Sequence, residues 1–186
     1  YQKTLDDLLE FSKQRVISHL EEFKYDKKII SATCVSENIK HLNLLDVIDT
    51  KSRINLIKEV LYGNKSSHLI NIISRYSKLA NKGDLQKHIL KCDNNINVEL
   101  FEKNSELCVF NFLKKLENLI YSNDWKYSEL ISLYQENVDI LLELFDIQNG
   151  VLIMSENKKV RLNRLSLLSL VRNYSLLIAD FTILNS

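Results

Sequence analysis

The chain of 186 residues contains no proline and only three glycines, Gly63, Gly83 and Gly150. Proline and glycine are the residues that break helices most effectively, so a chain almost without them suits long helices. A β-sandwich or barrel would need turn residues at every hairpin, and they are missing. The expected class is therefore all-α. Apolar residues make up 45% of the chain, enough to build a core without disulfides. Apolar periodicity predicts a bundle of about six to seven helices, read as one domain over residues 1–186.

The first helix is expected over Thr4–Phe23, with Leu5, Leu8, Leu9, Val16, Leu20 and Phe23 on its apolar stripe and Thr4–Asp7 as a capping box. A short second helix starts near Asp26 and carries Ile29, Ile30 and Val35. The third spans Leu44–Tyr62 and stops at Gly63-Asn64; the fourth spans Ser66–Ala80. After a weakly patterned stretch to Asn97, a fifth covers Glu99–Tyr121, with Leu107, Phe110, Leu113, Leu116 and Ile120 on one stripe. The sixth runs over Tyr127–Phe145 and closes at Gln148-Asn149-Gly150. The last, Lys158–Asp180, is apolar on several sides and is predicted to be central. Leu116, Leu142, Phe145, Leu165, Leu168 and Val171 are expected to be buried together.

The catalytic motifs are absent: no glycine-rich phosphate loop, no dinucleotide fingerprint, no nucleophile elbow. His88 and Cys92 lie four apart but find no further ligands, and Cys34, Cys92 and Cys108 are too few and too scattered for a disulfide framework or a zinc site. His19, His41 and His68 have no catalytic companions, and the pairs Glu21-Glu22 and Asp6-Asp7 read as solvated helix faces. No catalytic and no metal-binding residue is therefore assigned. Scattered thiols fit a reducing compartment, and the start at Tyr1, with Met154 the only methionine, is read as a piece of a longer polypeptide.

A net charge of +1 argues against indiscriminate coating of nucleic acid but leaves room for local basic faces. The last predicted helix holds Lys158, Lys159, Arg161, Arg164 and Arg172. At roughly 100° per residue, the three arginines fall within an arc of about 80°. Such arginines either meet phosphates and unpaired bases or pair with a buried carboxylate. Asp146 is the expected partner of Arg164, making that pair a structural staple and leaving Arg161 and Arg172 as RNA-binding candidates. A second basic region holds Lys13, Arg15, Lys24, Lys27 and Lys28, with Tyr25 expected to be freer than Phe23 to stack on a base. Arg75, Tyr76 and Lys78 form a third, smaller group.

Along the last helix the sequence resembles a family. Leu144-Phe145-Asp146, Val151-Leu-Ile-Met154, Ser155-Glu156-Asn157, Arg161-Leu-Asn-Arg-Leu165 with Leu167-Leu168, and Ile178-Ala-Asp-Phe181 are similar to the end of glycyl-tRNA synthetase β subunits. There an aromatic pair and aspartate, a hydrophobic run, an acidic turn, R-x-N-R-L-x-L-L and A-D-F-S follow one another. Upstream the likeness is looser: Phe11 to Tyr25-Asp26 resembles the family's opening helix, and Val98-Glu99-Leu100-Phe101-Glu102 its V-D-x-x-L-F-E segment. Ile73–Leu79 stands at its F-K-R-V-x-N-I segment, where Arg75 matches but Ser74 and Lys78 replace a lysine and an asparagine.

The resemblance implies a helical anticodon-binding domain, of the type shared with arginyl-tRNA synthetases, that holds the anticodon arm of tRNA(Gly). The candidate RNA-binding residues are then Arg161, Arg172, Lys158, Lys159, Arg75, Lys78, Tyr25 and Lys27. It further implies ATP and magnesium as cofactors of the whole enzyme, none of them held in this stretch. The implied partner is a separate α subunit in an α2β2 assembly, in the bacterial cytoplasm or the plastid stroma. The alternatives are a structural or protein-docking helical bundle, the corresponding domain of an arginyl-tRNA synthetase, and a stand-alone enzyme, which the missing motifs disfavour.

Overall fold

Short polar side chains ahead of apolar runs set the helix ends. The computed structural model describes residues 2–35, 46–63 and 66–185, and these form nine α-helices and no strand. Helix α1, Gln2–Glu22, starts before Thr4, so Thr4 lies inside the helix and is not its cap. Asp26 accepts from the backbone N–H groups of Lys28 (2.8 Å) and Ile29 (3.2 Å) and caps α2, Lys27–Ile30, which continues as a π-helical turn to Val35. Asp46 caps α3, Val47–Tyr62, by accepting from the Asp49 N–H at 2.9 Å. Leu44, His41 and Asn64 lie outside the described residues.

Helix α4, Ser66–Ala80, is followed by irregular chain and a 3-10 turn, Val98–Leu100. Helix α5 begins at Asn104 rather than Glu99. Glu106 reaches back to accept from the backbone N–H groups of Glu102 (2.8 Å) and Lys103 (3.1 Å), which fixes the first turn there. Its buried stripe is Val109, Phe112, Leu113 and Leu116, while Leu107 faces solvent. The predicted sixth helix is two, α6 (Tyr127–Glu136) and α7 (Val138–Glu143). Asn137 divides them: its side-chain amide donates to the Leu133 carbonyl at 2.7 Å, the local bond by which asparagine competes with helix. Helix α8, Lys158–Ser175, is capped by Asn157 and ends before Asp180, whose carboxylate caps a short α9, Phe181–Leu184.

Helix α8 is central, as its apolar surround predicts. It lies against α4 and α5, and α9 also packs on α4. Leu116, Leu165, Leu168 and Val171 are buried, but Phe145 is only half-buried and Leu142 is exposed. The break at Asn137 resets the helical phase, so Leu141 and Leu144 enter the core instead. Each such leucine contributes roughly 1.5–3 kcal/mol by leaving water. Among the described elements, helix α1 meets the body chiefly through α2. Leu20 is buried and Val16 partly so, whereas Leu8, Leu9 and Phe23 are exposed; the expected stripe is core at its C-terminal end only. Among the described residues no helix is long and apolar enough to cross a membrane.

Candidate nucleic-acid interface

The arginines of α8 do not share one outward face. Arg164 is buried, and its Nε donates to Glu106 Oε1 at 2.9 Å. Nη2 donates to Glu102 Oε2 at 2.7 Å, and Nη1 to the Leu152 carbonyl at 3.0 Å. It is a staple, but its partner is not Asp146. That carboxylate is exposed and accepts from the backbone N–H groups of Gln148 (2.8 Å) and Asn149 (2.9 Å), closing its own turn. The true partners lie 58 and 62 residues upstream of Arg164. The sequence signal for them was Glu102 at the end of the Val98–Glu102 segment, followed four residues on by Glu106.

Asn163, one position earlier, accepts from the Asn97 N–H (2.7 Å) and donates to the Asn97 carbonyl (2.9 Å), joining α8 to the 3-10 turn. Arg161 is half-buried, with Nη1 on the Ser155 carbonyl at 2.9 Å. Arg172 is 4% exposed and donates to Asn173, Asn81 and Leu85, sharing no partner with Arg161 or Arg164. Of the basic residues of α8, only Lys158 and Lys159, in its first turn, are exposed. The R-L-N-R-L motif is thus mostly architecture.

On α4, Arg75 and Lys78 are exposed, and Tyr76 is core, with its hydroxyl on the Leu141 carbonyl at 3.1 Å. Arg75 lies over the half-buried Phe145, Cζ 4.0 Å from the ring centroid, while Phe145 meets Tyr76 edge-to-face at 5.0 Å. The pair presents an exposed guanidinium stacked against a ring. In the second basic region the expected roles reverse: Tyr25 packs against the core, and Phe23 is 62% exposed, with Lys51 Nζ 5.3 Å from its ring centroid. Lys27 is exposed in the first turn of α2.

One buried cation escaped the sequence reading. Arg53 on α3 is fully buried; Nε donates to Asp49 Oδ2 at 2.9 Å, and Nη1 to the carbonyls of Thr33 (3.1 Å) and Ile178 (3.4 Å). The Tyr127 hydroxyl donates to the other Asp49 oxygen at 2.7 Å, and burial with that bond pushes the phenol well above its ordinary range. Asp49, four residues earlier on α3, was a local signal, but the carbonyls of Thr33 and Ile178 that complete the burial of Arg53 come from two remote parts of the chain.

No group of three or more potential metal ligands occurs among the described residues. His88 is exposed while Cys92 is buried, and burial, with Glu117 adding to it, pushes that thiol up to about 12. A thiol held protonated is a poor nucleophile and a poor metal ligand.

No family model matches the chain. Among proteins of known name it is similar to glycine–tRNA ligase β subunits. The one from Acaryochloris marina is 27% identical over 97% of this chain and 26% of its own length. That of Trichodesmium erythraeum is 29% identical over 97% of this chain and 26% of its own length. That of Synechocystis is 32% identical over 74% of this chain and 19% of its own length. The chain spans about a quarter of the length of the relatives it matches.

Proposed function

We propose that this chain is a portion of a glycine–tRNA ligase β subunit and serves there as a helical tRNA-binding module. It holds the anticodon arm of tRNA(Gly) while ATP-dependent glycylation proceeds elsewhere in the enzyme. The observation that carries this reading is similarity to β subunits along nearly the whole chain, at the level of sequence. The site chemistry supports a binding role over a catalytic one: the buried arginines Arg53 and Arg164 and their carboxylates are spent on tying helices together.

The exposed cations remain for RNA. Lys158, Lys159, Arg75, Lys78 and Lys27 are exposed, and none forms an ion pair among the described residues. The Arg75–Phe145 pair supplies a pre-positioned planar donor of the sort that meets a phosphate or an unpaired base. Tyr25, packed on the core, has less to offer than the sequence suggests. In this reading the partners are tRNA(Gly), the remainder of the β subunit and an α subunit. ATP and magnesium belong to the reaction at a site outside this stretch.

Filter binding of the 186-residue chain to tRNA(Gly) and to a non-cognate tRNA tests the reading. The expected result is saturable, salt-sensitive binding of tRNA(Gly), with no ATP–pyrophosphate exchange by the chain alone. Absence of tRNA binding at low salt overturns it.

A further inference from the structure

We propose that the surface depression between the 81–88 segment and α8 is a binding site for one phosphate group, with Arg172 at its floor. The depression, of about 450 Å3, is lined by Asn81, Gln86, Lys87, His88 and Arg172 among others, with no carboxylate among the described residues that line it.

The argument rests on a contrast within the molecule. Three arginines are buried, Arg53, Arg164 and Arg172. Arg53 and Arg164 each have a carboxylate oxygen 2.9 Å from Nε. Arg172 has none among the described residues. Its Nε donates to Asn173 Oδ1 at 3.0 Å, Nη1 to Asn81 Oδ1 at 3.3 Å and Nη2 to the Leu85 carbonyl at 2.8 Å. These are three neutral acceptors for a group with five N–H donors. Burial disfavours its charged form, and no neighbouring carboxylate offsets that cost. Buried charges in folded proteins are ordinarily paired, so a guanidinium held rigidly by neutral groups at the edge of a depression is a cation awaiting an anion.

Two N–H groups remain, one on each Nη, and a guanidinium offers such donors to a tetrahedral phosphate bidentately. Lys87 and His88 also line the depression. Assigning the phosphate to an RNA backbone rests on the tRNA-binding reading above; a free phosphate would meet the same chemistry.

The test follows the Arg172 Nε–H resonance in the 186-residue chain. It is titrated with inorganic phosphate and with a short single-stranded RNA, against sodium chloride at matched ionic strength. A saturable shift with phosphate that chloride does not reproduce supports the site. Saturation by the RNA at lower concentration assigns the phosphate to a nucleic-acid backbone; a response to inorganic phosphate alone assigns it to a free phosphate. No saturable shift with either probe overturns the proposal. Because Arg172→Ala removes a buried side chain and can unfold the helix, the resonance of the intact side chain is the readout. Binding of tRNA(Gly) while Arg172 stays silent removes this site and leaves the tRNA-binding reading intact; a phosphate response without tRNA binding does the reverse.

Discussion

Arg164 and Glu106 meet across the α5–α8 interface with Nε 2.9 Å from Oε1, both side chains almost wholly shielded from solvent. Glu106 also caps the first turn of α5 through the same carboxylate, so one side chain sets a helix start and its docking angle together. Removing either partner strands a buried charge. Arg164→Ala and Glu106→Gln should each destabilise by roughly 3–5 kcal/mol. Glu102 pairs with the same guanidinium at 2.7 Å but is largely exposed, so Glu102→Gln should cost at most about 1 kcal/mol. Urea melts of the three variants decide it; equal losses for Glu102 and Glu106 would show that burial does not rank them.

Phe145 sits between Tyr76 and the solvent-facing Arg75. Half-buried, it should lose about half of the ~3–5 kcal/mol typical of a fully buried Phe→Ala change. Arg75→Ala should cost only about 0.5–1 kcal/mol, the range for an exposed cation–π contact. If Arg75 also meets RNA, its loss weakens tRNA binding by more than that stability change explains. Paired melts and binding titrations separate the two effects.

Lys158 and Lys159 make the cleanest test of an RNA face because both are exposed on a helix whose interior is settled. Each alanine variant should melt like the parent. Its log–log salt dependence of tRNA binding should be shallower by about 0.7 for each lost contact to single-stranded RNA. An unchanged slope in the double variant moves the RNA face away from the start of α8.

Asp146 should titrate below the ordinary carboxylate range, because the N–H groups of Asn149 and Gln148 stabilise its charged form. Its folded value lies under its unfolded one, so the turn's contribution to stability is fully present above the unfolded value. It is lost as pH falls through the folded one. Carboxyl resonances followed through an acid titration give the value directly, and Asp146→Asn should remove this part of the acid dependence. A value at or above that of a free aspartate contradicts the turn.

Gly150 closes the same turn at a close approach of backbone to backbone. A Cβ there would lie 2.4 Å from the Asp146 carbonyl oxygen. Gly150→Ala should destabilise by about 1–3 kcal/mol, the usual range for forced overpacking. A melting temperature equal to the parent's would mean the turn opens without cost.

The helical class, the central place of α8 and the helix starts near Asp26 and at Lys158 were legible along the chain. They depend on helix breakers being rare, on apolar periodicity, and on polar side chains bonding the backbone two or three residues away, all of which are local. The partners of the arginines were not legible. Arg161, Arg164 and Arg172 share an arc on a helical wheel, yet one ties a preceding turn, one enters a carboxylate pair and one lies under a depression with no counter-charge. Tyr25 and Phe23 exchanged their expected roles because α1 meets the body through only part of its length. Which carboxylate reaches a guanidinium, and which aromatic is left in water, depends on how helices far apart in the chain are docked. Local pattern carries no record of that docking.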